Sequence, residues 1–339
     1  MLRNLIGCID ILNATSYDNA FKMYNGSLTI DDCIFERMNL YNGSGGVCFL
    51  GTNCLDLYVS YSAFYNCSSL RGGCIYMLSN NNNSTVSIRK CCAIYCSCST
   101  GGNGELGYFG VKKGIILQDL SCSYCGNPTL LGISLISNCF SKDSSIDHLN
   151  SSFNMAKSCL FQFSTIGHSQ ISYCHLINCS VHTGHVFGIY GGLLFEVNYT
   201  VFCKFSVETG SLLFLFGSPR VYLKRIVLLN NGGDFTGGSK DFIYIDECVY
   251  FNQKINMNIF AQATNLINSF TQLPMYSFFS SKNCIPYIEN SVVPRQSIIP
   301  YILSGVILVC LLISVKLYYD KTAMNRALLM NESIVIDFG

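Results

Sequence analysis

The pattern of apolar and polar positions divides the chain into two unlike parts. Before residue 297, short runs alternate apolar and polar residues or concentrate β-branched and aromatic ones, as in 55–61, 85–89 and 221–227. No helical period persists there, so the pattern predicts strands. From Ile298 to Val315 the chain is instead one apolar run without a charged residue.

The run from Ile298 to Val315 predicts a single transmembrane helix. Its 18 residues, at about 1.5 Å each, give about 27 Å, close to the hydrocarbon core of about 30 Å. Lys316, Lys321 and Arg326 follow the run and only Arg295 directly precedes it, so the positive-inside rule places the C-terminus in the cytoplasm. The alternative, a buried core helix, normally shows a polar stripe that this run lacks.

Composition describes the part expected outside the cell. Half of all residues are hydrophobic and 12% are charged, with a net charge of +1, which indicates a core-rich globular domain and disfavours a nucleic-acid partner, because phosphate binding needs a concentrated basic face. Sequons suit a glycosylated surface. The candidate glycosylation sites are Asn13, Asn25, Asn42, Asn66, Asn82, Asn83, Asn150, Asn178 and Asn198.

A repeat with a period of about 26–29 residues runs through the outer part. Sliding Ser62–Gly73 by 29 residues places Cys67 on Cys96 and the terminal glycine pair on a second pair. Similar elements recur at Asn178–Gly184 and again at the segment that ends in Gly210. Such a period with glycine-ended turns indicates one supersecondary unit per repeat. The expected corner glycines are Gly45, Gly46, Gly72, Gly73, Gly101, Gly102, Gly184 and Gly210.

These features predict an all-β fold, a right-handed parallel β-helix. Leucine-rich, ankyrin and tetratricopeptide arrays need a helix or a fixed consensus that is missing, whereas a coil of three short parallel strands takes about 20–30 residues. We expect about eight coils. The predicted domains are the β-helix over 1–250, a cap and membrane-proximal stalk over 251–296, the transmembrane helix over 297–316 and a short cytoplasmic tail over 317–339.

The repeats also resemble those of a known family. Phe64-Tyr-Asn66 followed by Gly72-Gly-Cys-Ile75 is similar to elements of chlamydial polymorphic outer-membrane proteins, and closer to those of single-span surface proteins in trichomonad parasites. The resemblance covers about residues 30–235, and the chain departs from the bacterial proteins in its α-helical span. It implies an adhesin-like surface protein of unknown ligand and supplies no catalytic residue.

The 20 cysteines allow two interpretations. Nineteen precede the predicted span, an odd number that forbids complete internal pairing, and Cys310 lies within it. Outside the cell, disulfides are expected, for example between Cys67 and Cys96 on adjacent coils or between Cys67 and Cys92. The alternative is a ladder of buried free thiols that pack as small hydrophobic side chains.

No metal or other cofactor is predicted. Cys122 and Cys125 have the spacing of half a zinc site, but no second such pair or matched histidine pair accompanies them. His182 and His185 lie near other cysteine and histidine residues, yet both flank a repeat turn. We therefore interpret these histidines as surface or corner residues.

An enzyme that acts on polysaccharides is the main alternative function. Glycoside hydrolysis needs carboxylates that converge on one face. The adjacent acidic pairs, Asp31-Asp32 and Asp246-Glu247, would point to opposite sides if they lay on strands. We therefore predict no catalytic residue.

We predict a single-pass, type I-like plasma-membrane protein, with an extracellular N-terminal domain and a cytoplasmic C-terminus, that binds a host-cell, matrix or glycan ligand. A receptor that signals or is sorted through its tail is a further alternative, although Tyr318 and Tyr319 suit interfacial anchoring. The first ten residues make a poor signal peptide, which favours an N-terminally truncated chain.

Overall fold

A computed structural model describes residues 3–7, 11–13, 21–99, 101–126, 132–217, 220–238, 243–253 and 262–267. These residues form 28 strands and no helix, and every strand pairing among them is parallel. The chain winds about eight turns as a parallel β-helix. The predicted all-β parallel β-helix is therefore confirmed.

The strands follow one another with short connections. The first fourteen are β1 (Arg3–Gly7), β2 (Ile11–Asn13), β3 (Phe21–Asp31), β4 (Ile34–Glu36), β5 (Asn39–Ser44), β6 (Cys48–Ser60), β7 (Ala63–Tyr65), β8 (Ser68–Arg71), β9 (Ile75–Leu78), β10 (Thr85–Ile94), β11 (Ser97–Cys98), β12 (Gly107–Gly110), β13 (Gly114–Ser123) and β14 (Ser134–Cys139). The others are β15 (Asp143–Ser152), β16 (Met155–Ala156), β17 (Cys159–Ser164), β18 (His168–Ser172), β19 (His175–Ile177), β20 (Ser180–Tyr190), β21 (Leu194–Asn198), β22 (Val201–Cys203), β23 (Ser206–Phe216), β24 (Arg220–Lys224), β25 (Val227–Leu229), β26 (Asp234–Gly238), β27 (Ile243–Phe251) and β28 (Gln262–Ile267).

Three stacks of strand segments form the wall of the tube. Face 1 consists of residues 27–31, 56–60, 85–89, 114–118, 143–147, 168–172, 194–198, 220–224 and 243–246. Face 2 consists of residues 34–36, 63–65, 92–94, 121–123, 150–152, 175–177, 201–203, 227–229 and 249–251. Face 3 consists of residues 48–50, 75–78, 107–110, 136–139, 159–164, 185–190, 211–216 and 234–238.

Turns are longer in the first half of the tube than in the second. Thr85 hydrogen-bonds to the turn before it across 29 residues of chain. His185 bonds to the turn after it across 26 residues, and Arg225 does so across 22 residues. The number of residues from the start of face 1 to the end of face 2 is the same in each turn. The difference in turn length therefore lies in the chain between face 2 and the next face 1, which includes face 3 and its connections.

Two corners on either side of face 2 bend the chain through left-handed backbone. Their φ values lie between 48° and 56°, a region that costs a side chain about 1 kcal/mol or more. Corner 1 consists of Asp32, Tyr61, Lys90, Asp119, His148, Tyr173, Tyr199, Arg225, Glu247 and Asn265. Corner 2 consists of Arg37, Asn66, Tyr95, Tyr124, Phe153, Asn178, Lys204, Asn230 and Asn252.

Glycines shape the third corner. Gly45, Gly72 and Gly104 have φ values of 68°, 60° and 78°, and a Cβ on each would meet backbone three residues ahead. The structure thus pairs Gly72 with Gly104 through the Gly72 N–H bond to Asn103, whereas the sequence comparison aligned Gly72-Gly73 with Gly101-Gly102. Gly46 donates to Gly73 on the next turn, and Gly184 pairs with Gly210.

The tube interior is filled by ladders of like side chains. Phe35 stacks on Phe64 with ring centroids 5.4 Å apart. Cys67 and Cys96 lie on adjacent coils, joined by the Ser97 N–H bond to the Cys67 carbonyl, and both are fully buried. That predicted placement is confirmed.

The expected disulfides involving Cys67 do not form. Sixteen of the described cysteines are free thiols, Cys67 and Cys96 among them, and burial raises the pKa of thiols such as Cys91 to about 12. These thiols pack between adjacent coils as small apolar groups. This agrees with the alternative stated from the sequence, a ladder of buried free thiols. Cys92 differs, because it is disulfide-bonded.

The predicted transmembrane helix, Ile298–Val315, lies outside the described residues, as do the tail and most of the stalk. Among the residues that the structure describes, none belongs to a helix long and apolar enough to cross a membrane. At the other end, β1 already pairs with the face-1 segment of β3.

Candidate functional site: an exposed polar face

Face 1 presents a continuous polar surface to solvent. Its inward residues, such as Leu28 and Ile30, are buried in the core, so alternate residues point outward. Among the outward positions described, only Ser27, Ser87 and Ser172 are buried. The middle outward column contains Thr29, Tyr58, Ser87, Ile116, Ser145, Gln170, Glu196, Tyr222 and Tyr244.

Side-chain hydrogen bonds between turns hold this surface in place. Asp56 accepts hydrogen bonds from Ser27 at 3.1 Å and Thr85 at 2.7 Å. His168 Nε2 lies 3.0 Å from Glu196 Oε2. Each contact joins neighbouring coils, so the face has a fixed polar pattern.

Corner 1 forms a ridge along one edge of face 1. The rings of Tyr173 and Tyr199 stack at 4.7 Å, and His148 stacks on Tyr173 at 5.0 Å. The Arg225 guanidinium lies over the Tyr199 ring at 5.0 Å and forms an ion pair with Glu247. The rings face one another along the tube, which leaves mainly their edges and polar atoms for a partner.

The two adjacent acidic pairs, Asp31-Asp32 and Asp246-Glu247, lie where face 1 meets the corner 1 ridge. Asp31 and Asp246 are outward strand residues, and Asp32 and Glu247 follow them at corner 1 with positive φ. The sequence argument placed the members of each pair on opposite sides if they lay on strands. Because the corner turns the second residue outward, none of the four is buried.

Shallow depressions lie on face 1, and two of them combine charged and polar side chains from several turns. The first, of about 460 Å³, spans the middle turns and includes Arg89, Lys113, Asp143 and His168. The second, of about 330 Å³, lies toward the last turns. Its lining includes Glu196, Asn198, Tyr222, Lys224, Tyr244, Asp246 and Thr264.

The second depression contains two carboxylates. Glu196 pairs with Tyr222, and Lys224 pairs with Asp246, so two turns, or about 10 Å along the tube, separate the two acidic residues. Asp246 accepts hydrogen bonds from Thr264 at 2.6 Å and Asn265 at 2.9 Å. These bonds lower the pKa of Asp246, which suits a charged or nucleophilic carboxylate and not an acid.

Within the described residues, no group of three or more histidine, cysteine or acidic side chains could hold a metal ion. Cys122 and Cys125 are buried in the tube. His182 is exposed and lies 2.5 Å from Glu208. His185 stacks on Phe214 at 4.2 Å, accepts a hydrogen bond from Ser211 N–H, and has a pKa lowered by burial.

The sequon asparagines lie on the outside wherever their side chains are described. Asn82 and Asn83 occupy an exposed turn before β10, and Asn66 and Asn178 belong to corner 2. Asn25 and Asn42 are exposed, whereas Asn150 and Asn198 are half-buried outward residues. The side chain of Asn13 lies outside the described set.

The sequence analysis predicted neither of these two depressions, and it did not single out Glu196, which lines the second one. Their residues come from successive turns of 22 to 29 residues, and only the register of the coils brings them together. No protein-family model, curated protein or solved structure matches the chain. The trichomonad resemblance therefore stays a hypothesis.

Proposed function

We propose that this chain is a single-pass cell-surface protein that binds an extended ligand through face 1 and the corner 1 ridge. The observation that carries the proposal is the polar surface that continues over nine strand segments without a large apolar patch. Nine strands at about 4.8 Å give a length of about 40 Å, and five residues give a width of about 17 Å. That area approaches one side of a standard protein interface, about 800 Å².

The charge pattern limits the ligand. Arg89 and Lys90 lie on one turn, Asp119 and Asp147 on the next two, and Lys224 follows further along. Acidic and basic groups thus alternate along the face, which suits many weak polar contacts with a neutral glycan or a mixed-charge protein and not a uniform polyanion.

The membrane anchor and surface location belong to the same proposal. The apolar run Ile298–Val315 and the basic residues after it support an outward β-helix and a cytoplasmic tail. A tag at the C-terminus should resist protease in intact cells, and a tag at the exposed turn near Asn82 should be cleaved. The reverse pattern would overturn the orientation.

The binding proposal can be tested on cells that display the full chain. Fluorescent glycan, matrix and host-cell ligands would be screened, and a hit titrated against a variant with Tyr58, Arg89, Gln170 and Tyr222 replaced by alanine. A matched control replaces Leu70, Tyr95, Ile166 and Phe216, which are exposed outside face 1. We expect at least a tenfold loss for the first variant and less than threefold for the control; the opposite result would refute face 1.

The carboxylates of the second depression favour one other candidate, a membrane-tethered enzyme that cleaves polysaccharides. Glu196 and Asp246 share one depression with two tyrosines, an arrangement related to that of glycoside hydrolases. Turnover of a polysaccharide that Glu196→Gln or Asp246→Asn abolishes, while Glu208→Gln leaves it intact, would establish this activity and displace simple adhesion.

A further inference from the structure

Large apolar side chains are exposed along the edge at which face 3 passes into face 1. One such residue precedes face 1 in each of four successive turns, and we call this row the apolar edge: Phe140, Ile166, Leu193 and Phe216. Their exposed fractions are 56%, 69%, 75% and 65%. Three steps between turns, at about 4.8 Å each, make the row about 14 Å long.

Backbone hydrogen bonds between turns fix this row in the wall. The Ile166 N–H donates to the carbonyl of Ser141, the residue after Phe140. The Leu193 N–H donates to the carbonyl of Gly167, the residue after Ile166. Each side chain thus lies beside that of the turn before, and together they form one surface.

The chemistry of this row differs from that of the exposed rings at the other corners. Tyr61 at corner 1 and Tyr95 and Tyr124 at corner 2 are exposed as well, but each has a hydroxyl that bonds to water. Phe, Ile and Leu side chains lack such an atom. A contiguous row of them marks a surface from which a partner removes water.

Basic residues accompany the apolar edge. The Lys112 Nζ atom lies 5.3 Å from the centroid of the Phe140 ring. The Lys142 N–H donates to the Lys112 carbonyl, and the Arg220 N–H donates to the Leu193 carbonyl, so these basic residues lie on the same edge. Their charges therefore act on whatever contacts the row.

The edge is basic overall in the described turns. The Asp143 N–H donates to the Lys113 carbonyl, which places Lys113 beside the exposed Lys142. Asp143 supplies a carboxylate there, and its Oδ1 atom accepts a hydrogen bond from the His168 N–H at 3.1 Å. Three lysines and one arginine thus stand against this carboxylate.

An apolar row with basic neighbours fits the surface of a lipid bilayer. Apolar side chains enter the boundary between headgroups and acyl chains, and Lys and Arg contact anionic headgroups. A second copy of the chain fits less well, because a two-fold contact would set the basic residues of the two copies against each other. Charge complementarity therefore favours an anionic bilayer.

We propose that the apolar edge inserts into the surface of a bilayer with anionic headgroups, so that this stretch of the β-helix lies along the membrane. A depression of about 450 Å³ beside the edge is lined by Leu193, Leu194, Arg220 and Tyr222. It has room for a headgroup next to a guanidinium. Corner 1 borders the opposite side of face 1, so its ridge stays accessible. The proposal does not rest on ligand binding by face 1.

Insertion can be measured with tryptophan, which the chain lacks. The full-length Leu193→Trp protein would be reconstituted in vesicles of phosphatidylcholine with about 30% phosphatidylserine, with and without bromine on the acyl chains. Bromine quenches a tryptophan that it contacts. Leu70→Trp is the matched control, because Leu70 is an exposed leucine on β8, beyond corner 2. We expect at least threefold more quenching for Leu193→Trp, and Phe216→Trp should repeat that result.

A second arm tests the basic residues. In the Leu193→Trp protein, Lys113→Glu combined with Lys142→Glu should reduce quenching at least threefold. Lys157→Glu combined with Lys204→Glu is the control, since both lysines are exposed away from the edge, and should leave quenching unchanged. Circular dichroism would verify that each variant keeps its strand content.

Equal quenching at the edge and at Leu70 would overturn the proposal, as would full quenching in vesicles of phosphatidylcholine alone. A crosslinked dimer that Leu193→Glu dissolves would assign the edge to a second copy instead. Because the edge borders face 1 without belonging to it, replacing Ile166 and Phe216 should keep the affinity for a face 1 ligand within threefold. Loss of ligand binding with quenching intact would count against the proposed function alone.

Discussion

Faces 1 and 2 are built from the same backbone and share the same period, yet their outer surfaces differ. Outward residues of face 1 are polar and mostly accessible, whereas those of face 2 include buried Val, Leu, Ile and Cys side chains. Adjacent residues show the same contrast. Cys91 points into the tube as a buried free thiol, whereas Cys92 points to the outer side of face 2 and is disulfide-bonded.

This difference shows that residues on the outer side of a β-helix wall, like those on its inner side, can be buried. A strand with one buried side alternates apolar and polar residues, whereas a strand covered on both sides reads as a continuous apolar run. Val227-Leu228-Leu229 is such a run, and Arg220–Lys224 alternates. Face 1 is therefore the side of the wall that stays accessible, whereas the outer side of face 2 is buried at Val201, Val227 and Leu229.

The largest effect is expected from removing two whole turns of face 1. Deleting residues 168–219 joins Gly167 to Arg220 in register, because His168, Leu194 and Arg220 occupy one column. Binding to a ligand found on displayed cells should fall more than tenfold, while circular dichroism stays that of a folded β-protein. A deletion of 168–206, which breaks the register, should unfold the domain. Unchanged binding by the in-register deletion would place the ligand elsewhere.

A matched pair of substitutions in one turn should separate the two faces. Val227→Asp buries a charge among Val201, Leu229 and Cys203 on the outer side of face 2 and should reduce the free energy of unfolding by about 3 kcal/mol or more. Arg220→Asp, on exposed face 1, should change it by less than about 0.5 kcal/mol. Urea denaturation measures both, and equal effects would abolish the distinction.

Glu105 is a carboxyl that is buried inside the protein, in contrast to the exposed carboxylates of face 1. This carboxyl is fully buried and accepts hydrogen bonds from the backbone N–H groups of Cys98 at 2.5 Å and Gly132 at 2.7 Å. Burial raises its pKa to about 8. The folded state thus holds the proton that the unfolded state releases near about pH 4.3, so stability falls as pH rises from there to about 8.

Replacing Glu105 tests that pH dependence. Glu105→Gln should remove a slope of up to about 1.4 kcal/mol per pH unit between pH 5 and 8, measured by urea unfolding at three pH values. Asp246→Asn is the control. Hydrogen bonds lower the pKa of Asp246, so its contribution is present above the unfolded pKa and lost only as pH falls below it. Parallel curves for wild type and Glu105→Gln would contradict the assignment.

The smallest effect is expected from single carboxylates of face 1. Asp31→Asn, Asp32→Asn, Asp246→Asn or Glu247→Gln should each change ligand binding by less than about fivefold, because one exposed polar contact contributes about 1 kcal/mol or less. Titration on displayed cells measures the change. A single substitution that eliminates binding would show a concentrated site in place of a distributed surface.

The sequence predicted the solenoid but not its corners. The 29-residue offset of Cys67 and Cys96 follows directly from the coil length, because a repeated unit must repeat its inward residues. The sequence alignment matched Gly72 with Gly101, whereas the structure places Gly72 beside Gly104. The alignment missed this because the chain between faces 2 and 3 is three residues longer in the second of these turns. Tyr, Lys and Asp at corner 1 carry no sequence mark of left-handed backbone; the stacked strands on either side impose it.

The amino-acid order by itself determined the strand content, the repeat period and the apolar run at 298–315, because these depend on local periodicity and length. Only the tertiary structure decided which side of each strand is open, which thiols stay free and which residues of separate turns share a depression. Those properties depend on register and on chain segments distant in sequence, and one sequence does not encode them as a local pattern. The contrast between faces 1 and 2 arises from that packing.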